Sequence, residues 1–220
     1  MRIDSCEFPD DLLYDEDGLV WARVEPSGDV VIGITTIYAA VAGRPTRISS
    51  KPVGVEYERG KAIANFESGK YFGPIRSPVA GRLLRVNEAV LANPRLVTDS
   101  LYNSGWIARL RPTRDEEARA LQKAGDAEPR LRNQIAALHV RCFAAFPDFE
   151  MVEIGTECAA VLSRLNELLS RIQIGDVVHV VSDDLTAPIE MTRWSDQTGQ
   201  PIIDERREGN LFHFLVRKVS

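Results

Sequence analysis

The sequence has little from which to build a metal centre or a disulfide framework. Its 220 residues include only three cysteines and three histidines. Cys6, Cys142 and Cys158 are odd in number, lie far apart, form no CxxC pair and have no histidine at zinc-ligand spacing. That excludes a zinc ribbon and argues against a structural disulfide, leaving at most one reactive thiol. His139, His179 and His213 stand isolated and read as packing or surface residues, so no metal ligand is assigned. Long apolar runs are absent too, which excludes a membrane-spanning helix. The first seven residues lack the apolar stretch of a secretory signal, so the expected location is the cytoplasm. An excess of positive charge is also missing. The formal net charge is −5, which argues against nucleic acid as a partner.

What is present is an ordinary globular composition, 44% hydrophobic and 27% charged, in a chain long enough for one large domain or two small ones. The first half is punctuated like an all-β unit. Short apolar runs, such as Val30-Val31-Ile32-Gly33-Ile34 and Gly81-Arg82-Leu83-Leu84-Arg85-Val86, lie between Gly, Pro and Asn signals. Strands so short and so regularly broken suggest a small sandwich or barrel, with Trp21 and Trp106 in its core. After Pro112 the character changes. Residues 113–123 read as a charged surface helix that Gly125 to Pro129 breaks, and residues 131–146 as a second helix. Residues 113–148 are therefore expected to form a helical linker of packing or spacer elements.

The last third reads β-α-β-α-β-β. Strands are expected over 149–154, 177–181, 201–205 and 211–218. The helix over 158–172 carries Val161, Leu162, Leu165, Leu168, Leu169 and Ile172 on one face. A second helix starts at Thr186-Ala187-Pro188 and closes at Gly199. Two helices on one face of a four-stranded sheet make a two-layer α/β sandwich. The expected domains are 1–112, an all-β sandwich or barrelled hybrid, the linker 113–148, and 149–220.

One lysine gives the first half a chemistry. Lys70 sits in the polar turn Asn65-Phe66-Glu67-Ser68-Gly69-Lys70-Tyr71, and Ser77-Pro78-Val79-Ala80-Gly81 follows shortly after. A lysine at the tip of a tight hairpin is held away from its own protein. That suits a side chain that another enzyme modifies and that then visits other active sites. Glu67 is expected to help that recognition. Gly69 is expected to supply a positive φ before the lysine.

Residues 14–112 resemble the H protein of the glycine cleavage system, a lipoyl carrier. The resemblance rests on Gly18-Leu19-Val20-Trp21-Ala22-Arg23-Val24, Val31-Ile32-Gly33-Ile34-Thr35, Glu67-Ser68-Gly69-Lys70, Ser77-Pro78-Val79-Ala80-Gly81, Val86-Asn87-Glu88, Asn93-Pro94-Arg95-Leu96-Val97 and Gly105-Trp106, in order. It implies a lipoyl-type β-sandwich, lipoate in amide linkage to Lys70, an attachment motif that includes Glu67 and Gly69, and a lipoate ligase or lipoyl transferase as partner. Where the family has an acidic Glu-Leu-Pro-Glu-Val-Gly run, this chain has Ile48-Ser49-Ser50-Lys51-Pro52-Val53-Gly54, without a carboxylate.

The last third carries a second candidate. Gly155-Thr156-Glu157-Cys158 ends a strand and opens a helix, so the thiol faces the positive end of a helix dipole. Glu153 and Glu157 oppose that effect and Arg164 offsets them. Residues 149–218 resemble the TusA-like sulfur carriers through Gly-x-x-Cys, the amphipathic helix, Gly175-Asp176, Val180-Val181-Ser182-Asp183-Asp184, Trp194, Gly199 and Phe214-Leu215-Val216-Arg217-Lys218. The family's Cys-Pro-x-Pro is replaced by Cys158-Ala159-Ala160-Val161. The resemblance implies that Cys158 carries sulfane sulfur as a persulfide. Cys142 is expected in a helix core, Asp183-Asp184 as a polar strand end, and Arg109, Arg111 and Arg114 as a solvated basic edge or a docking patch.

Together these point to a carrier rather than an enzyme: a lipoyl-bearing protein with a fused sulfur-carrier domain that shuttles sulfur intermediates in cytoplasmic sulfur metabolism, beside sulfur-transfer proteins or a sulfur-oxidising complex. The alternative is an aminomethyl carrier of glycine cleavage with a C-terminal docking domain.

Overall fold

The computed structural model describes residues 1–220. The chain divides into two compact units, Met1–Cys142 and Phe143–Ser220.

The first unit is a β-rich sandwich-type domain. A seven-stranded antiparallel sheet runs in the order Gln122–Lys123, Leu13–Tyr14, Val20–Val24, Val30–Ile34, Ala108–Pro112, Gly81–Val86, Glu56–Tyr57. A three-stranded antiparallel sheet places Ala62–Ser68 between Pro45–Ser50 and Phe72–Arg76. Val30–Ile34 is buried along its whole length, because it is a central strand with neighbours on both sides. Burial of such β-branched side chains contributes about 25 cal/mol per Å² of apolar surface removed from water. Helix α1 (Thr36–Ala42) follows directly. Thr35 caps it by accepting from the Tyr38 N–H, and its own hydroxyl donates to the Gly18 carbonyl at 2.6 Å. Short helices α2 (Glu88–Ala92), α3 (Leu96–Asp99) and α4 (Asp115–Arg119) lie in the connections.

Residues 113–148 differ from the expected linker. The break anticipated at Gly125 to Pro129 does not occur. Helix α5 (Ala124–Ala137) passes through both residues and ends at Leu138, with His139 at φ +50°. It buries Ala124, Ala127, Leu131 and Ile135 against Ile3, Phe8, Leu12, Tyr14 and Trp21. An apolar stripe of that kind outweighs the one backbone hydrogen bond that Pro129 forfeits. The helix is thus core of the first unit, not a spacer. Cys142 is bonded to Cys6 across 136 residues of sequence, contrary to the expectation of no structural disulfide. The pairing joins the N-terminal hairpin, Arg2–Ile3 with Cys6–Glu7, to the segment after α5.

In the second unit a four-stranded sheet runs Phe149–Glu153, Val177–Ser182, Leu211–Arg217, Ile202–Glu208. Its first pair is parallel and the others antiparallel. Helices α6 (Cys158–Arg171) and α7 (Ala187–Thr198) share one core with alternate residues of the two central strands: Val178 and Val180, and Phe212, Phe214 and Val216. Gly199 closes α7 in the left-handed conformation. The opposite sheet face carries His179 and His213. These histidines are not isolated as expected: Nε2 of one lies 3.0 Å from Nδ1 of the other, under the Phe143 ring. Nowhere do three His, Cys, Asp or Glu side chains gather as a metal site.

Candidate functional site: a buttressed lysine and a buried thiol

Ser68 and Tyr71 close a two-residue turn, with the Ser68 N–H donating to the Tyr71 carbonyl at 2.8 Å and Gly69-Lys70 at the tip. The Ser68 hydroxyl ties the turn down. It donates to the Ala42 carbonyl at the end of α1 (2.6 Å) and accepts from the Tyr71 N–H (3.1 Å) and the Lys70 N–H (3.3 Å). Beneath the turn, Tyr38 of α1, Phe66 and Tyr71 meet edge to face in a three-ring cluster. Such rings bury large rigid surfaces in a fixed geometry. Helix α1 is therefore the platform on which the lysine hairpin stands.

Lys70 is exposed, and its aliphatic stem lies over Gly43, the residue that ends α1. Gly43 has φ +75° and ψ −165°, a region open essentially to glycine alone. Gly69 is different from expectation. It is not among the glycines with positive φ, and a Cβ there would meet nothing within 4 Å. The chain therefore needs glycine at Gly43, beside the lysine in space, and not at Gly69, beside it in sequence. Glu67 is exposed one residue before Ser68, and its carbonyl accepts from the Thr46 hydroxyl. Phe72, just past the turn, is 73% exposed. Sequence reasoning missed Gly43 and Phe72 and gave Ser68, which it placed in the lysine motif, no role of its own.

The arginines offered as a patch are all committed. Arg109 pairs with Glu25, Arg111 with Asp29, and Arg114 with Glu58 and Glu117. Arg111 beside Asp29 holds that carboxyl below its ordinary range.

Cys158 opens α6 as anticipated, yet its thiol faces the core rather than solvent: the residue is 3% exposed. Burial, then the charges of Asp184 and Glu190, push the thiol up to about 11. The carboxylates that matter are thus not Glu153 and Glu157, and Arg164 is paired with Glu153. Asp183 and Asp184 are more than a strand end. Asp183 accepts from the Gly155 N–H at 2.8 Å and Asp184 from the Cys158 N–H at 2.7 Å, so they clamp the loop before α6. Asp184 also accepts from the Thr186 N–H and hydroxyl, and these donors hold its carboxyl below the ordinary range.

Lys70 is an exposed lysine on an anchored hairpin tip, a geometry that suits a carrier, a protein that presents a side chain to other active sites. The lysine is exposed, its hairpin is fixed by Ser68 and the aromatic cluster, and its stem lies over Gly43, all of which fit an acyl group in amide linkage. Comparison with known proteins names the class. Residues 12–134 match the glycine cleavage H-protein family. The glycine cleavage system H protein 5 of Aquifex aeolicus is 39% identical over 146 residues, covering 64% of this chain and 98% of that protein. The probable H protein 2 of Sulfurisphaera tokodaii is 35% identical over 143 residues, covering 64% and 97%. A crystal structure of an H protein from Mycobacterium marinum aligns with TM-score 0.49 at 25% identity, over 56% of this chain and 98% of that one.

The chain belongs to the glycine cleavage H-protein family. It is accordingly a carrier protein, not an enzyme, of a family that carries lipoate on a lysine and meets lipoyl-modifying enzymes. No helix is long and apolar enough to cross a membrane.

Proposed function

We propose that this chain carries lipoate in amide linkage to Lys70 and shuttles sulfur intermediates among cytoplasmic proteins of sulfur metabolism. The observation that carries the lipoyl reading is the hairpin: an exposed lysine whose turn is anchored to α1 through the Ser68 hydroxyl. Acylation removes the charge of Lys70 and adds a flexible tether, which meets each docked partner at high effective concentration. A lipoate ligase or lipoyl transferase would grip the protruding turn, with Glu67 and the exposed Phe72 beside it. Intact mass after co-expression with a lipoate ligase tests this. A lipoyl mass gain that disappears in Lys70→Arg is expected; no gain in the parent chain sinks the reading.

The sulfur assignment rests on the second unit as a TusA-like carrier domain with Cys158 as the persulfide site. It is supported by the unit's strand and helix order and by Cys158 being the one free cysteine, at the first position of α6. Because the thiol is buried and protonated at neutral pH, this role requires a partner to open the first turn of α6. A sulfane-sulfur donor should add one sulfur in a Cys158-dependent manner. The absence of any such gain leaves the unit as a docking module.

A one-carbon role in glycine cleavage is the second reading, favoured by the names of the relatives. Saturable binding to a glycine decarboxylase would select it. The sequence Ile48 to Gly54, with Lys51 and no carboxylate, argues the other way.

A further inference from the structure

The three-stranded sheet has one face inside and one outside. Ile48, Phe66 and Ile75 point inward and are buried. Alternate residues point outward. Register sets Glu67 opposite Arg47 on one neighbouring strand and opposite Phe72 on the other. These three side chains therefore form one exposed row beside the Lys70 turn. Ser49, Asn65 and Pro74 make the next row, and Arg76 ends the strand that Phe72 begins. Lys51 is exposed just past Ser49 and Ser50, and its N–H donates to the Ile63 carbonyl.

This face has a sign. Arg47, Lys51 and Arg76 stand against one carboxylate, Glu67, in a chain whose net charge is −5. Neighbouring arginines are neutralised, Arg44 by Asp99 and Arg59 by Glu16. Arg47 and Lys51 join no ion pair, and Arg76 donates to the Gly60 carbonyl at 2.8 Å. Phe72 gives the same face an aromatic ring that lies in water. The other side of the hairpin is occupied. Ser68 is bonded to the end of α1, and Tyr38, Phe66 and Tyr71 fill the space beneath the turn. An enzyme that works on Lys70 thus finds its open approach over the outer sheet face.

We propose that this face is the docking surface for the lipoate ligase, and that the ligase meets it with a carboxylate-lined surface around an apolar pocket. Phe72 fills the pocket, and Arg47, Lys51 and Arg76 face the carboxylates. The proposal rests on the reading of Lys70 as the lipoylated residue. Aromatic and arginine side chains are the usual anchors of an interface. Opposite charge speeds encounter and fixes orientation more than it tightens the complex. A basic face on an acidic chain does both, because the rest of the surface repels the same partner.

The test measures lipoylation of the full chain by the lipoate ligase of the same host, followed by intact mass at low ionic strength. Arg47→Glu with Lys51→Glu should lower kcat/KM at least tenfold and leave kcat nearly unchanged. Arg119→Glu with Lys123→Glu makes the same change in net charge on α4 and on the edge strand Gln122–Lys123, and should cost less than about twofold. Raising the ionic strength to about 0.5 M should bring the Arg47 and Lys51 variant close to the parent. Equal kinetics for that variant and the parent would overturn the proposal. So would equal losses in the two double variants, which would mean that net charge alone acts. Binding to phosphatidylserine vesicles that needs Arg47 and Lys51, with unaltered ligase kinetics, would assign the face to an anionic membrane instead. A parent chain that gains no lipoyl mass would remove the lipoyl reading and this proposal together. If the reversal opposite Glu67 prevents folding, Arg47→Gln with Lys51→Glu decides by the same comparison.

Discussion

The stem of Lys70 rests on Gly43: a Cβ added at that glycine would fall 2.9 Å from the lysine Cε. Two residues 27 positions apart thus share one surface, and the helix end that Gly43 makes also accepts the Ser68 hydroxyl through Ala42. The modified side chain is aimed by the C-terminus of α1 as much as by its own hairpin.

Gly43→Ala should therefore act twice. The backbone conformation at φ +75°, ψ −165° opposes a side chain, at a cost of about 1–3 kcal/mol. The new methyl also displaces the lysine stem. We expect a lower thermal midpoint and slower lipoylation by a ligase. Gly69→Ala should change neither, because its φ is not positive and its Cβ would enter open space. Parallel melting curves and single-time-point mass spectra check both; equal effects from the two variants would contradict the assignment.

Ser68→Ala removes the donor to Ala42 and the acceptor for two turn N–H groups. A net loss of about 1 kcal/mol in stability is expected, since the Ala42 carbonyl loses its side-chain partner at a half-buried site. Phe72→Ala should leave stability nearly unchanged, because the ring is already in water. Its effect should fall on the ligase reaction, with a roughly tenfold fall in kcat/KM if the ring contributes about 1.4 kcal/mol to docking. Comparing denaturation midpoints with lipoylation kinetics separates the two residues.

The motif around Lys70 was legible because a hairpin tip is a local object, fixed by a few consecutive residues. Helix α6 was legible for a similar reason: Val161, Leu165 and Leu169 repeat at helical spacing and are all buried. What sequence could not give is what topology brings together. Cys6 and Cys142 meet only because α5 continues through Gly125 and Pro129 and packs beside the N-terminal hairpin. Asp184 reaches Cys158 only because Phe149–Glu153 and Val177–Ser182 are parallel neighbours, so that their ends emerge at the same edge. The expected positive φ is absent at Gly69 and present at Gly43, a glycine that only the fold brings beside the lysine.

Cys158 gives a pH signature. Its folded value is raised from 9.0 to about 11, first by burial and then by Asp184 and Glu190. The unfolded thiol ionises first, so the stability this group contributes is complete below about pH 9 and is lost as pH climbs to about 11. Iodoacetamide should modify the native chain slowly at pH 8 and the unfolded chain quickly. Asp184→Asn should lower the thiol's value without restoring it to normal, because burial is the larger cause. A native reaction rate equal to that of a small thiol would contradict the buried geometry.

Asp15 behaves in the same sense at lower pH. Burial raises its carboxyl from 3.8 to about 6, against the opposing hydrogen bonds from Val20 and Leu19. Between those values the folded chain holds a proton that the unfolded chain has released, so stability falls as pH rises through that window. Asp15→Asn keeps an oxygen for both N–H groups and has no charge to desolvate. It should raise the thermal midpoint at pH 7 and make no difference below pH 3.8, where both states of the parent are protonated. A variant less stable than the parent at pH 7 would mean that the charge of Asp15 on Arg130 outweighs its burial.

The Cys6–Cys142 bond should make the first unit sensitive to reductant. It closes a loop of 136 residues, and restriction of the unfolded chain by a cross-link of that length is worth about 5 kcal/mol. Both sulfurs are buried, and the Thr36 hydroxyl at the start of α1 lies 3.3 Å from Cys142 Sγ. Reduction should therefore be slow in the native state and should loosen the N-terminal hairpin and the end of α5 before the sheets. Cys6→Ser with Cys142→Ser should lower the thermal midpoint of the oxidised chain to that of the fully reduced parent. Hydrogen exchange should locate the loss in residues 1–8 and 131–142. If the oxidised parent and the double variant melt together, the bond contributes nothing to the fold, and α5 is held by Leu131 and Ile135 alone.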